Sequence, residues 1–298
     1  MFSDDQIAAL TRFEESLYGE NPCFEMRDIV DVDFWVNRIV TLPSLRPFLL
    51  DETVSLCEKY CNIPLFREEF TKNSVYDCPV LVHRLFKRGV LSFQEIEAFF
   101  CQKYLFLIYY YFRNEIKDFP SFIKHYQVPI YIEETFLKLE DEFDLMMEYG
   151  FSPSSIEYCL KYDDVSSLHK FLISAKHEEE LRWSPFEWSN KPSSLDYLSF
   201  SGYFGSVSCF KQLLLNGYSI SDSVRSNVVC GGNTDLFHIC FAEISNLNRF
   251  LFDATKYCRL PFIGFLEEKG CDLNSRIEDT KLFVMEKPFY IMLQYILI

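Results

Sequence analysis

Apolar residues recur at helical spacing along most of the chain, in short runs broken by proline, glycine or a hydroxyl-bearing residue. The sharpest run is GSVSCFKQLLLNG, Gly205 to Gly217, which sets Val207, Phe210, Leu213 and Leu214 on one face between two glycines. In the first half the runs have recognisable starts. SDDQ (Ser3 to Gln6) and SFQE (Ser92 to Glu95) fit the capping box, in which a hydroxyl bonds the third residue's N–H and that residue's side chain reaches back. Pro47, Pro64 and Pro79 each stand where a first helical turn tolerates a missing N–H. YIEETFLKLEDEFDLMMEYG puts Phe136, Leu139, Phe143 and Met147 on one face and ends at Gly150, a helix stop, so a domain boundary is expected there, with FSPSS (151–155) as the join.

Beyond that boundary the texture changes. Seven of the ten glycines fall between Gly202 and Gly270, as tight turns between short paired helices require. Aligned on the residue that opens the second helix of a pair, four segments share one pattern: turns at Asp163, Gly205, Gly232 and Cys258, each followed by apolar residues at helical spacing. For the Asp163 unit these are Val165, Leu168, Phe171 and Leu172. For the Gly232 unit they are Leu236, Phe237 and Ile239, and for the Cys258 unit Leu260, Phe262, Ile263, Phe265 and Leu266. A helix pair repeated in this way leaves an apolar face that only a stacked neighbour can cover.

At these residues the chain resembles the ankyrin repeat. In the last unit Leu251, Ala254, Phe262, Ile263, Leu266 and GCDLN (Gly270 to Asn274) stand at the family's positions, with Cys258 at the turn glycine. In the Gly205 unit Leu198, Ser201, Gly202, Gly205 and Gly217 do the same. No unit carries T-P-L-H, and the later turns lie closer together than the usual repeat of ~33 residues, so the β-hairpin fingers are expected to be reduced to loops. With YCLKYDD, SPFEW, SLDYLSFSGYFGSVSCFK and CGGNTDLFHIC, residues from about 130 to 275 look like the divergent ankyrin-like domain of expanded protist ankyrin families. The resemblance implies a short ankyrin-type helix-pair solenoid (151–275); with the helical runs before it, the expected fold is all-α, an acidic helical N-terminal domain (1–150), then the solenoid, then a C-terminal cap or truncated tail (276–298).

Composition narrows the function classes. The net charge of −15 is carried mostly by residues 1–150, which hold 15 Lys+Arg against 26 Asp+Glu, and without a basic cluster a nucleic-acid surface is not expected. The start MFSDDQIAALTRF has acid where a signal peptide has base, so the eleven cysteines are read as reduced thiols of a cytoplasmic protein. Ala98 to Phe112 is interrupted by Gln102 and Lys103 and falls short of a span of ~20 apolar residues. The tail from Pro288, PFYIMLQYILI, is shorter still and reads as a cap, with tail anchoring as the alternative.

Catalytic signatures are missing: no phosphate-binding glycine loop, no G-x-S-x-G, and HEEEL at His177 lacks a second histidine. Cys57 and Cys61, one helical turn apart, with Cys78 and His83 downstream, are the candidate metal ligands, weighed against ordinary buried thiols. His238 and Cys240 are read as packed core, His169 as surface, and the acids of EETFLKLEDEFD as a solvated helix face. The chain is therefore expected to be no enzyme and to need no cofactor, binding another protein as scaffold, adaptor or sequestering partner. Alternatives are a zinc-binding or thiol-dependent enzyme in the N-terminal domain, or a truncated non-functional relative. Candidate contact residues are Trp183, Phe186 and Trp188 in the insertion Ile173 to Ser194, where Pro185 also lies, and Tyr218 at a loop tip. The opposing reading folds the insertion's aromatics back to seal the junction between the N-terminal helices and the repeats.

Overall fold

The computed structural model describes residues 32–98, 111–116, 118, 121, 142–174, 181–241, 247–257 and 259–271. Ser3 to Gln6, Phe136 and Leu139, most of Ala98 to Phe112, His177, Cys258 and the tail lie outside them. The chain is all-helical, and no strand occurs among the described residues. It divides into two compact units, Met1–Glu140 and Asp141–Ile298.

In the first unit the described helices are α1 (Val32–Leu45), α2 (Leu50–Tyr60), α3 (Pro64–Asp77), α4 (Pro79–Lys87) and α5 (Phe93–Glu97), with a 3₁₀ turn at Pro47–Leu49. Each expected proline opens its element, and Ser92 with Glu95 forms the full capping box. α1 packs on α3, and α2 on α4. Val36, Ile39, Val54, Phe66, Phe70, Leu81 and Leu85 fill the space between them. A bidentate pair ties α3 to α5: Arg67 Nε and a terminal nitrogen meet the two Glu95 oxygens at 2.6 and 3.0 Å.

The second unit begins with α6 (Phe143–Tyr149), stopped at Gly150, and so takes in a helix that the sequence assigned to the first domain. Four helix pairs follow: α7 (Ile156–Lys161) with α8 (Val165–Ser174), α9 (Tyr197–Phe204) with α10 (Val207–Leu215), α11 (Asp222–Gly231) with α12 (Thr234–Phe241), and α13 (Asn248–Lys256) with α14 (Leu260–Glu268). First helices pack in succession, α7 on α9, α9 on α11, α11 on α13, while α8 meets α10 and α10 meets α12. The turns inside three pairs are left-handed, at Asp163 (φ 57°), Gly205 (φ 71°) and Gly232 (φ 81°), and Asp163 is the only described non-glycine residue with positive φ.

The residue that opens each second helix caps that helix, reaches back to the pair before it, or does both. Asp164 and Asn233 cap their own helices through Ser167 N–H (3.0 Å) and Leu236 N–H (3.1 Å). Asn233 also donates to the Gly205 carbonyl at 3.4 Å. Ser206 and Arg259, which provide no side-chain cap of their own, reach back one pair: Ser206 Oγ donates to the Leu160 and Lys161 carbonyls, and the Arg259 guanidinium to the Cys230 carbonyl. The uncapped start of α10 is served instead by Asp163, whose carboxylate accepts from Ser208 N–H (3.1 Å) and Cys209 N–H (2.7 Å). Orphan donors of one pair are thus satisfied by the turn of the pair before it.

Within the GSVSCFKQLLLNG run, Phe210 and Leu213 are buried as expected, joined by Cys209, whereas Val207 and Leu214 are half-buried. Of the two residues read as packed core, Cys240 is buried but His238 is exposed, one position off the apolar stripe of α12. His169 is exposed.

Candidate functional site

The described part of the segment between the first two pairs, Leu181 to Ser194, is a non-helical strap with a turn at Pro185 and Phe186 and bends at Ser189 and Ser193. Its backbone is held at both ends by helix side chains. Arg182 N–H donates to Glu157 Oε1 on α7 at 2.9 Å, and Ser193 N–H and Oγ donate to Asn227 Oδ1 on α11 at 3.1 and 3.3 Å.

Between those ends the strap is anchored by side chains. Trp183 meets Phe151 and Phe200 edge to face at 5.7 and 5.9 Å and stacks on Phe204 at 6.2 Å. Phe186 is buried edge-on against Phe143 of α6 at 5.7 Å. Phe186 is closed to a partner while the strap is docked as it is here, whereas Trp183 stays half-buried.

At the centre lies a fully desolvated ion pair. Lys161 Nζ and Glu187 Oε2 are 2.7 Å apart, and both side chains have 0% exposure. Such a pair persists only where further hydrogen bonds satisfy its remaining polar atoms. Glu187 Oε1 accepts from Ser189 N–H at 3.0 Å, and Lys161 also donates to the Tyr149 carbonyl at 3.0 Å. The ammonium sits 3.9 Å from the Trp188 ring centroid, with Tyr162, Phe204 and Phe151 between 5.2 and 5.9 Å. A cation–π shell of this kind substitutes for lost water. Gly150 makes room for it, because a Cβ there would overlap the Glu187 carboxylate.

The remaining candidates are scattered. Tyr218, half-buried after Gly217, stacks on Tyr197 at 6.0 Å. In the first unit Cys57 is fully buried with Cys61 and Cys78 close enough to raise its pKa further, while His83 packs against Tyr111 and Phe112 at 5.1 and 5.6 Å. Among the described residues no three His, Cys, Asp or Glu side chains are grouped to hold a metal ion. All eight described cysteines are buried. Burial pushes Cys61 up to about 12 and Cys159 up to about 11, the opposite of what an activated thiolate needs.

Sequence reasoning picked out the strap's aromatics but missed Glu187 and Lys161. The signal was an acid set between two aromatics in SPFEW and a lysine closing the apolar helix IEYCLK. Compared with known proteins, the chain matches no family model, no curated protein and no solved structure.

Proposed function

We propose that residues 151–275 form a short ankyrin-type helix-pair solenoid whose work is non-catalytic protein binding, as scaffold, adaptor or sequestering partner in the cytoplasm. The observation that carries the reading is the recurrent reach-back: Ser206, Asn233 and Arg259, each just before the second helix of its pair, bond the turn-side carbonyls of the preceding pair. A pairwise bond repeated at equivalent positions belongs to a stacked array, and such arrays use the extended surface left over after stacking to bind other chains. The raised thiols of Cys57 and Cys61, two of the rival's candidates, weigh against a thiol enzyme there. Among the described residues no helix is long and apolar enough to cross a membrane.

The test is affinity capture on the full chain with mass spectrometry, alongside metal analysis and thiol labelling of the purified protein. A partner retained in stoichiometric amount supports the binding reading. Stoichiometric zinc, or one cysteine labelling far faster than the rest, moves the function to the N-terminal unit.

A further inference from the structure

The strap makes the contacts a bound peptide makes. Two of its backbone N–H groups are received by side chains of α7 and α11, a mode that suits any extended backbone, since it depends on no strap side chain. Between them lie two sockets, built by the helices and the link that follows α6. One is aromatic, from Phe151, Phe200 and Phe204, and takes Trp183. The other takes a carboxylate, where Lys161 and the Tyr149 carbonyl hold Glu187. The Asn227 amide that receives Ser193 leaves its Nδ2 buried without a hydrogen-bond partner. A backbone carbonyl beside it would satisfy that donor, and an unmet buried donor is costly.

We propose that the surface of α7, α9 and α11 under the strap is a peptide groove that the chain fills with its own segment, so that Leu181–Ser194 is an internal occupant. The outside ligand is an extended peptide that carries one carboxylate flanked by aromatic residues, and it binds by displacing the strap. This rests on the protein-binding reading above and names the partner's chemistry. The closed state dominates in the free chain because the displaced strap would leave Lys161 without its counter-charge; only a peptide supplying that carboxylate restores it.

The probe is a fluorescein-labelled peptide LRWSPFEWSNKPSS, titrated by anisotropy into the full wild-type chain and into E187K. The substitution sets a like charge against Lys161 and expels the strap from the carboxylate socket, while the helix residues that build the groove are untouched. The peptide is expected to bind E187K at least about tenfold more tightly than wild type, and the same peptide with glutamine for its glutamate to lose about that factor, the step set by roughly one lost charge-assisted contact. Equal binding by both chains, with helical circular dichroism unchanged, overturns the proposal. Where E187K loses its helical signal, hydrogen exchange on wild type decides. The Arg182 and Ser193 amides are expected to exchange at least about tenfold faster than interior amides of α9, as local opening of a strap requires. Exchange at the same rate overturns the proposal. If the peptide fails while the full chain still captures a protein, the groove falls and the protein-binding reading stands. If the chain retains neither peptide nor protein, both fall.

Discussion

Two neighbouring junctions in the second unit, α7 with α9 and α9 with α11, are closed by different means. At α9–α11 the backbones themselves approach: a Cβ on Gly202 would lie 2.8 Å from Val228 Cγ2, and one on Gly231 would run into the carbonyl oxygens of Gly202 and Tyr203. Small residues make that contact, and no segment is needed to fill it. At α7–α9 the helices carry Phe200, Phe204 and Lys161, the link before α7 adds Phe151, and the strap supplies Trp183, Glu187 and Trp188 to complete the packing. The first junction depends on a segment that can in principle leave. The second depends on nothing removable, which is why the strapped junction is the place to look for exchange with an outside chain.

The comparison breaks most readily at Lys161. K161A leaves Glu187 buried and unpaired, and the cost is expected to be about 3–5 kcal/mol, read as a large fall in the thermal midpoint. The double variant K161M/E187L, apolar and of similar volume, is expected to recover most of that loss. If the double variant melts as low as K161A, the pair itself, rather than the packing of its stems, stabilises the junction. G231A comes next. Its methyl group meets backbone rather than a side chain end, so α9 and α11 must separate, at about 1–3 kcal/mol by the usual cost of overpacking. A G231A chain that melts like wild type would show that the α9–α11 approach is looser than its geometry.

Much of this architecture was legible in the sequence because it is written locally. The turn positions Asp163, Gly205 and Gly232 all take positive φ, and the helix that Gly205 opens and Gly217 follows runs as its apolar spacing required. The strap's chemistry was not legible. Lys161 and Glu187 are 26 residues apart in sequence, and no periodicity links them. A lysine ending an amphipathic helix reads as solvated by default, since only tertiary burial reveals otherwise. The cross-pair bonds are hidden for the same reason: Ser206 looks like an ordinary helix cap for α10, yet its hydroxyl serves the preceding pair and Asp163 caps in its place. D163A is expected to cost about 1–2 kcal/mol, by loss of that cap and by the strain of a Cβ residue without a local hydrogen bond at positive φ. D163G relieves the strain but not the cap, so a midpoint between those of wild type and D163A separates the two contributions.

The smallest effect contrasts the dry ion pair with a wet one in the first unit. Arg67 and Glu95 make the same kind of bond, but both side chains are about a third exposed, at 34% and 36%. The Arg67 hydrogen bond, aided by Ser92, holds the Glu95 carboxyl down at about 2, below its ordinary value of 4.5. A carboxyl lowered on folding contributes stability that is fully present above its unfolded pKa and is lost as pH falls through the folded value. Between about 4.5 and about 2, then, the wild-type chain should lose a contribution that E95Q never had. Solvent screening keeps that contribution to at most about 1 kcal/mol. Urea unfolding of the two chains should therefore differ modestly near neutral pH and converge in acid, with added salt shrinking the gap. The Lys161–Glu187 pair has no water to screen it, so the K161A deficit should survive the same salt almost unchanged. A deficit at Lys161 that salt erases would mean that the strap already admits water in the free chain.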